Sequence, residues 1–181
     1  MRQSSLLVPV IRAARIKKAV RHLARAIRRD YMRKSPVIIC ILKGSFIFCA
    51  DLIREMKLNV EIDFIGLKSY GTSFRSSGNV RLTKKLETNL KGKDVIVVED
   101  IVDTGGTLRR LIKILKKKRP ASIRLCALVD KRKKWSQPKV DYLGFRMGKA
   151  FLVGYGLDLG EKSRQLKGLY RIETVSPGRK G

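Results

Sequence analysis

Acids are scarce in this chain. Its 181 residues include 15 Asp and Glu against 42 Lys and Arg, a formal charge of +27. Histidine occurs once, as His22 in a helical context, which removes histidine from the catalytic candidates and makes His22 a surface or packing residue. Cysteine occurs three times, as Cys40, Cys49 and Cys126, in apolar surroundings and without a CxxC pair. With one histidine and no CxxC, a zinc site is not expected, and the thiols read as reduced core residues of a cytoplasmic protein. No apolar run approaches the length that crosses a bilayer, so no membrane partner is expected. Two common phosphate-binding loops are also missing. There is no Gly-x-x-x-x-Gly-Lys-Ser/Thr, and no Gly-x-Gly-x-x-Gly follows a strand. No repeat and no linker divides the chain, so 1–181 is read as one domain with enough residues for a good core.

The positive excess has its own implications. A surface this basic attracts nucleic acid, anionic surfaces and phosphorylated metabolites, and it repels itself at low salt. Nonspecific nucleic-acid binding is one expectation from charge alone. The first 29 residues hold nine Lys and Arg and no acid, with Val10, Ile11, Ala14, Ala19, Val20, Leu23, Ala24 and Ile27 at helical spacing. A basic targeting segment has the same look. The reading favoured here is a structural N-terminal helix closed by Asp30-Tyr31.

The richest stretch is Val95-Ile96-Val97-Val98-Glu99-Asp100-Ile101-Val102-Asp103-Thr104-Gly105-Gly106-Thr107-Leu108. It begins as a β-branched apolar run, the mark of a buried parallel strand. Three carboxylates end it, a small-residue turn follows, and then Leu108, Leu111, Ile112 and Leu115 fall at helical spacing. Such a turn gathers free backbone N–H groups, two hydroxyls and the positive end of a helix dipole at one point, which suits a phosphate. The neighbouring acids suit sugar hydroxyls or a divalent metal. A strand ending in an ordinary helix cap would explain Thr104. It would leave three acids and two glycines at one strand end unexplained.

Alternating patterns complete the layout. Strands are expected over 36–42, 60–67, 123–129, 140–145 and 151–155, with a short one over 79–85, a helix over 46–56, and the signature strand and its helix together over about 94–118. Lys43-Gly44-Ser45 forms a second strand-to-helix turn. The Ser- and Gly-rich stretch of about 68–80 reads as a long loop or lid, and the tail of about 175–181 as loose. Strand–helix alternation gives an α/β fold with a mostly parallel sheet and right-handed crossovers, and ligands then bind at the carboxyl ends of the strands.

The Glu-Asp-Ile-Val-Asp-Thr-Gly wording resembles the phosphoribosyl-pyrophosphate (PRPP) signature of the hypoxanthine-guanine group of type I phosphoribosyltransferases, over roughly residues 8–173. The resemblance implies a five-stranded parallel core flanked by helices, with a small hood built from the two chain ends. It implies Mg²⁺ as cofactor, PRPP, 6-oxopurine bases and pyrophosphate as ligands, and homodimers or homotetramers. Mapped onto this chain, Glu99 and Asp100 would hold the ribose hydroxyls, directly or through metal. Thr104, Gly105, Gly106 and Thr107 would hold the 5′-phosphate, and Asp103 would serve as general base or acid at the purine. Lys43 and Gly44, often after a cis peptide at Leu42-Lys43, would meet pyrophosphate together with Arg164. Asp158 would bind metal, Ser69 and Tyr70 would open the lid, and Phe151 would stack on the base. The Leu152 backbone would bond the base edge.

Lys131 matches the lysine that donates to the purine 6-oxygen. An ammonium there favours hypoxanthine, guanine or xanthine over adenine, whose 6-amino group offers it no acceptor. In isolation Lys131 could equally be decoration within Lys131-Arg132-Lys133-Lys134, and Phe151 a core aromatic. Departures from the family pattern flank the purine positions. Arg146-Met147-Gly148-Lys149-Ala150 stands where the family has an acid and an apolar-Pro-Asp-Lys run, and Leu159 stands where it has an aromatic. The competing reading is a nucleotide-sensing or RNA-binding protein on the same fold, motivated by the basic runs. The carboxylates at the phosphate cradle argue against it, since they repel a polyanion.

Overall fold

Valine and isoleucine dominate the two central strands, and their side-chain period of two supplies both faces of a buried sheet. A computed structural model describes residues 5–69, 80–132 and 138–174. Nine strands and three helices follow one another among these residues: β1 Ser5–Ile11, α1 Ala13–Tyr31, β2 Val37–Leu42, α2 Phe46–Met56, β3 Glu61–Ser69 and β4 Val80–Lys84. After them come β5 Asp94–Val102, α3 Gly106–Lys117, β6 Ser122–Asp130, β7 Tyr142–Arg146, β8 Leu152–Val153 and β9 Leu169–Thr174.

The main sheet has the order β4-β3-β2-β5-β6-β7. Its five strands from β3 to β7 are parallel, as expected, and β4 joins one edge antiparallel to β3. Along β2 and β5, Ile38, Cys40, Ile96 and Val98 point to one side, where Ile16, Val20, Leu23 and Ile27 of α1 and Phe48 and Leu52 of α2 cover them. Val37, Ile39, Val95 and Val97 point to the other, where Leu108, Leu111 and Leu115 of α3 pack. Burying each such side chain contributes about 1.5–3 kcal/mol, so the two layers hold the strand ends in fixed positions. Cys40, Cys49 and Cys126 are free thiols in the first of these layers.

A second sheet, ordered β1-β9-β8, is antiparallel and joins the two chain ends, which is the expected hood. Here the sequence reading is corrected at two places. Val10 and Ile11 belong to β1, not to the first helix, which starts at Ala13. Pairing with β9 overrides their helical spacing, and Pro9 is tolerated because β1 is an edge strand. The strand read over 151–155 is only Leu152–Val153, because Gly154 and Gly156 turn the chain with φ of 95° and 99°. The lid falls mostly on 70–79 and the loose tail on 175–181, outside the described residues. Ser69 ends β3, and Tyr70 lies beyond it, also outside the described residues.

Candidate active site

Parallel pairing decides which loops meet. Cys40 of β2 stands beside Val98 of β5, so the turn after Leu42 comes to lie against Glu99 and Asp100. On the other side of β5, Val102 pairs with Asp130 of β6, and the Lys131 N–H donates to the Val102 carbonyl at 2.9 Å. The carboxyl ends of three adjacent strands thus meet at one edge.

A cavity of about 280 Å³ opens there, lined by Leu42, Gly44, Leu67, Glu99, Asp100 and the whole run from Ile101 to Leu108. Its floor is acidic. Burial first, and then the Asp100 carboxylate beside it, hold the Glu99 carboxyl well above the usual carboxylate range. Asp100 Oδ1 accepts the Ile101 N–H at 2.6 Å, which fixes the carboxylate. Gly44 is required for close approach, as a Cβ there would lie 1.7 Å from Asp100 Oδ2. The cavity's far wall is the turn into α3. Gly105 takes φ 75°, which glycine adopts without cost, and Thr104 Oγ1 accepts the Gly106 N–H at 3.3 Å. No acidic residue occupies the first turn of α3, so its N-terminus presents N–H groups to the cavity without a competing carboxylate on the helix. Asp103, which also lines the cavity, is exposed to solvent.

Lys43 precedes this cavity, across a cis peptide from Leu42. The loop is anchored by Ser45, whose hydroxyl donates to the Ile41 carbonyl and lies 3.1 Å from Cys40 Sγ. Lys43 Nζ reaches Glu161 at 3.1 Å. Glu161 also takes Arg164 Nη2 at 2.8 Å, and the same guanidinium reaches Asp158 at 2.9 Å and the Gly156 carbonyl at 2.8 Å. A Cβ on Gly156 would lie 2.1 Å from the Gly44 carbonyl, so the two loops touch through their backbones. Lys43, Gly44, Asp158 and Arg164, far apart along the sequence, are therefore one cluster. Glu161 at its centre was missed; its signal was the Asp158-x-x-Glu161-x-x-Arg164 spacing, in which two acids precede a cation at intervals of three.

Lys131 is half-buried, and its ammonium donates to the Ala150 carbonyl, next to Phe151. Burial pulls its pKa down, against the opposing fields of Asp103 and Asp100. The residues on each side of it, Asp130 and Arg132, also went unread. Arg132 Nε and Nη2 meet the two Asp130 oxygens, both at 2.9 Å, in a buried pair that braces the strand end holding Lys131. Arg146, one of the departures from the family pattern, stands 3.7 Å from Asp130 and adds a second cation there. Phe151 is 61% exposed and Leu152 is buried in β8. The Phe151 ring is thus not a core aromatic. Lys133 and Lys134 lie outside the described residues.

The three residues read as metal ligands do not form one centre. Glu99 and Asp100 share the cavity, Asp158 is held by Arg164, and no group of three His, Cys, Asp or Glu among the described residues could hold an ion alone.

The phosphoribosyl transferase domain family matches residues 11–159. A hypoxanthine-guanine phosphoribosyltransferase of Aquifex aeolicus is 38% identical over 160 residues, spanning 87% of this chain and 90% of that protein. One of Bacillus subtilis is 39% identical over 152 residues, spanning 83% and 84%. Among solved structures, a hypoxanthine-guanine phosphoribosyltransferase of Bacillus anthracis superposes with a TM-score of 0.85 at 40% identity, covering 90% of this chain and 96% of that one. A hypoxanthine phosphoribosyl transferase of Trypanosoma cruzi superposes at 0.84 and 34%, covering 91% and 90%.

Proposed function

The chain belongs to the phosphoribosyltransferase family, in its hypoxanthine-guanine group, and from that premise we propose how its own residues perform purine salvage. The reaction joins a 6-oxopurine to PRPP, giving a nucleoside 5′-monophosphate and pyrophosphate. The purine nitrogen–C1′ bond forms as the C1′–oxygen bond to pyrophosphate breaks, and the proton lost by the purine passes to Asp103. Thr104, Gly105, Gly106 and Thr107 hold the 5′-phosphate through backbone N–H groups and hydroxyls at the α3 terminus. Glu99 and Asp100 hold the ribose hydroxyls. Lys43, Gly44 and Arg164 receive pyrophosphate, which takes the place of Glu161 between the two cations. Lys131 donates to the purine 6-oxygen, Phe151 stacks on the ring and the Leu152 backbone bonds its edge. Ser69 and Tyr70 begin the lid that keeps water from the ribosyl cation.

Mg²⁺ fits this donor set. Magnesium is usually held by one or two carboxylates and completed by water and substrate phosphates, which suits the Glu99–Asp100 pair and the single Asp158 better than a closed protein cage would. When bound, it neutralises the pyrophosphate charge that develops as the bond breaks. The chain is read as cytoplasmic from its buried free thiols. It is read as a homodimer or homotetramer, with the exposed Phe46, Ile62 and Phe64 as apolar surface for contacts between copies.

The observation supporting this reading most is the single cavity in which acidic floor, Thr/Gly cradle and Gly44 turn converge. A magnesium-dependent assay of PRPP with hypoxanthine, guanine, xanthine and adenine tests it. Monophosphate should form with the 6-oxopurines and not with adenine. A folded protein that binds PRPP and turns over none of the four bases would refute it.

A further inference from the structure

We propose that the groove between α1 and the end of α2 binds the phosphate backbone of single-stranded nucleic acid. Lys18, Arg21, Arg25 and Arg28 recur at intervals of three and four along the exposed side of α1, which places them in one straight row. At 1.5 Å per residue the row is about 15 Å long. Lys57, at the end of α2, faces the row across a concavity of about 620 Å³, and Lys17 flanks it. The only acid in the lining is Glu55, and Arg21 binds it at 3.2 Å. The other five cations form no ion pair among the described residues.

Like charges three and four apart on a helix repel one another. A row of them whose only counter-charge among the described residues is Glu55, on Arg21, weakens α1 unless an anion lies along it. Several features of the groove define that anion. The row is too long for one phosphate. One strand of nucleic acid has a phosphate per about 3.4 Å of axis, so the row spans about four of them. Ala14 is the only apolar side chain in the lining, which leaves nothing to insert into a lipid surface. No aromatic lines the groove, so bases have no platform and binding is independent of sequence. The groove lies on the α1 and α2 side of the sheet and includes no residue of the transferase cavity, so the proposal does not rest on the reaction.

Fluorescence anisotropy with labelled U20 RNA tests it. With four to six phosphate contacts, the salt slope should be about −3 to −4, and affinity should fall about 50- to 300-fold between 50 and 200 mM salt. The triple variant K18E/R25E/R28E should lose at least tenfold in affinity and flatten the slope. K113E/K116E/K117E carries the same net charge change on α3, across the sheet, and should retain most of the binding. Both triples should keep wild-type transferase turnover, which reports that they fold. Equal loss in the two triples would assign binding to diffuse charge and overturn the groove. So would wild-type binding to poly-glutamate or to phosphatidylglycerol vesicles as tight as to U20.

Discussion

Replacing Gly44 by alanine probes the site at its tightest point. The added Cβ would sit 1.7 Å from Asp100 Oδ2 and 2.9 Å from its Cγ, whereas ordinary contact begins at 3.4 Å. Gly44 is not among the residues with positive φ, so alanine suits the backbone and the conflict is purely with Asp100. The carboxylate must retreat by about 1.7 Å, which breaks its bond from the Ile101 N–H. A misplacement of about 1 Å in a positioning group can cost about 10²-fold in rate, so kcat/KM should fall at least about 10²-fold, or about 2.7 kcal/mol of transition-state stabilisation. Stability should fall by only about 1–3 kcal/mol, because Asp100 can swing into the open cavity. Steady-state kinetics on Gly44→Ala, Asp100→Ala and the double variant form the decisive cycle. With Asp100 truncated the clash is gone, and Gly44→Ala should then cost little. An equal loss in both backgrounds would show that the loop moves rather than the acid, and would refute the reasoning.

Four other perturbations follow from the same geometry. Asp103→Asn should lower turnover by about 10²–10⁴-fold while PRPP affinity stays near wild type, read by single-turnover kinetics and PRPP titration; unchanged turnover removes Asp103 from the chemistry. Lys131→Met removes a charged hydrogen bond of about 1.5–3 kcal/mol and should cut kcat/KM for hypoxanthine about ten- to 150-fold, with no gain needed in adenine turnover. Glu161→Gln releases Lys43 and Arg164, so calorimetry should find tighter pyrophosphate binding; weaker binding would mean that Glu161 positions those cations rather than competes for them. Burial pushes the Asp130 carboxyl up, but its bonds from Arg132 outweigh this and hold it below the usual range. Its contribution is therefore complete above about pH 3.9 and is lost as pH falls through the lower folded-state value. Asp130→Asn should cost about 3–5 kcal/mol at pH 7 by leaving the Arg132 guanidinium buried without its partner, and urea melts from pH 2 to 7 should show a shallower acid loss than wild type.

The parallel core was legible because β2, β5 and β6 are buried on both faces over most of their length, so apolar runs mark them: Val37–Leu42, Val95–Val98 and Leu125–Val129. The Thr104–Thr107 stretch was legible as a turn for a different reason: small residues in sequence mark where the backbone, not a side chain, shapes the chain. β1 was not legible. Leu6 and Leu7 are both exposed in the hood, so no alternation marks the strand, and its partner β9 lies more than 150 residues away. Contacts across that separation leave no local pattern. The same reason hid the contact of Glu161 with Lys43, which lies 118 residues away, although its spacing to Arg164 was visible. The Asp130–Arg132 pair was hidden for another reason: an acid and an arginine at the edge of a basic run look like surface until the fold buries them.

Charge pairing locates the site in a way that composition could not. Asp30, Asp51, Glu55, Glu61, Glu87, Asp94, Asp130, Asp141, Asp158, Glu161 and Glu173 each meet a Lys or Arg. Asp63 is satisfied instead by the N–H groups of Phe64, Glu87 and Thr88. Glu99, Asp100 and Asp103 are what remains of the 15 acids, and none forms an ion pair among the described residues. With 42 cations available, three adjacent carboxylates without one are the exception, and they line one cavity with the N-terminus of α3. Such a floor repels phosphates that the cradle attracts. On the proposed reading, a cation arriving with the phosphorylated sugar would reconcile the two halves, so PRPP should bind this chain far better with magnesium than without it.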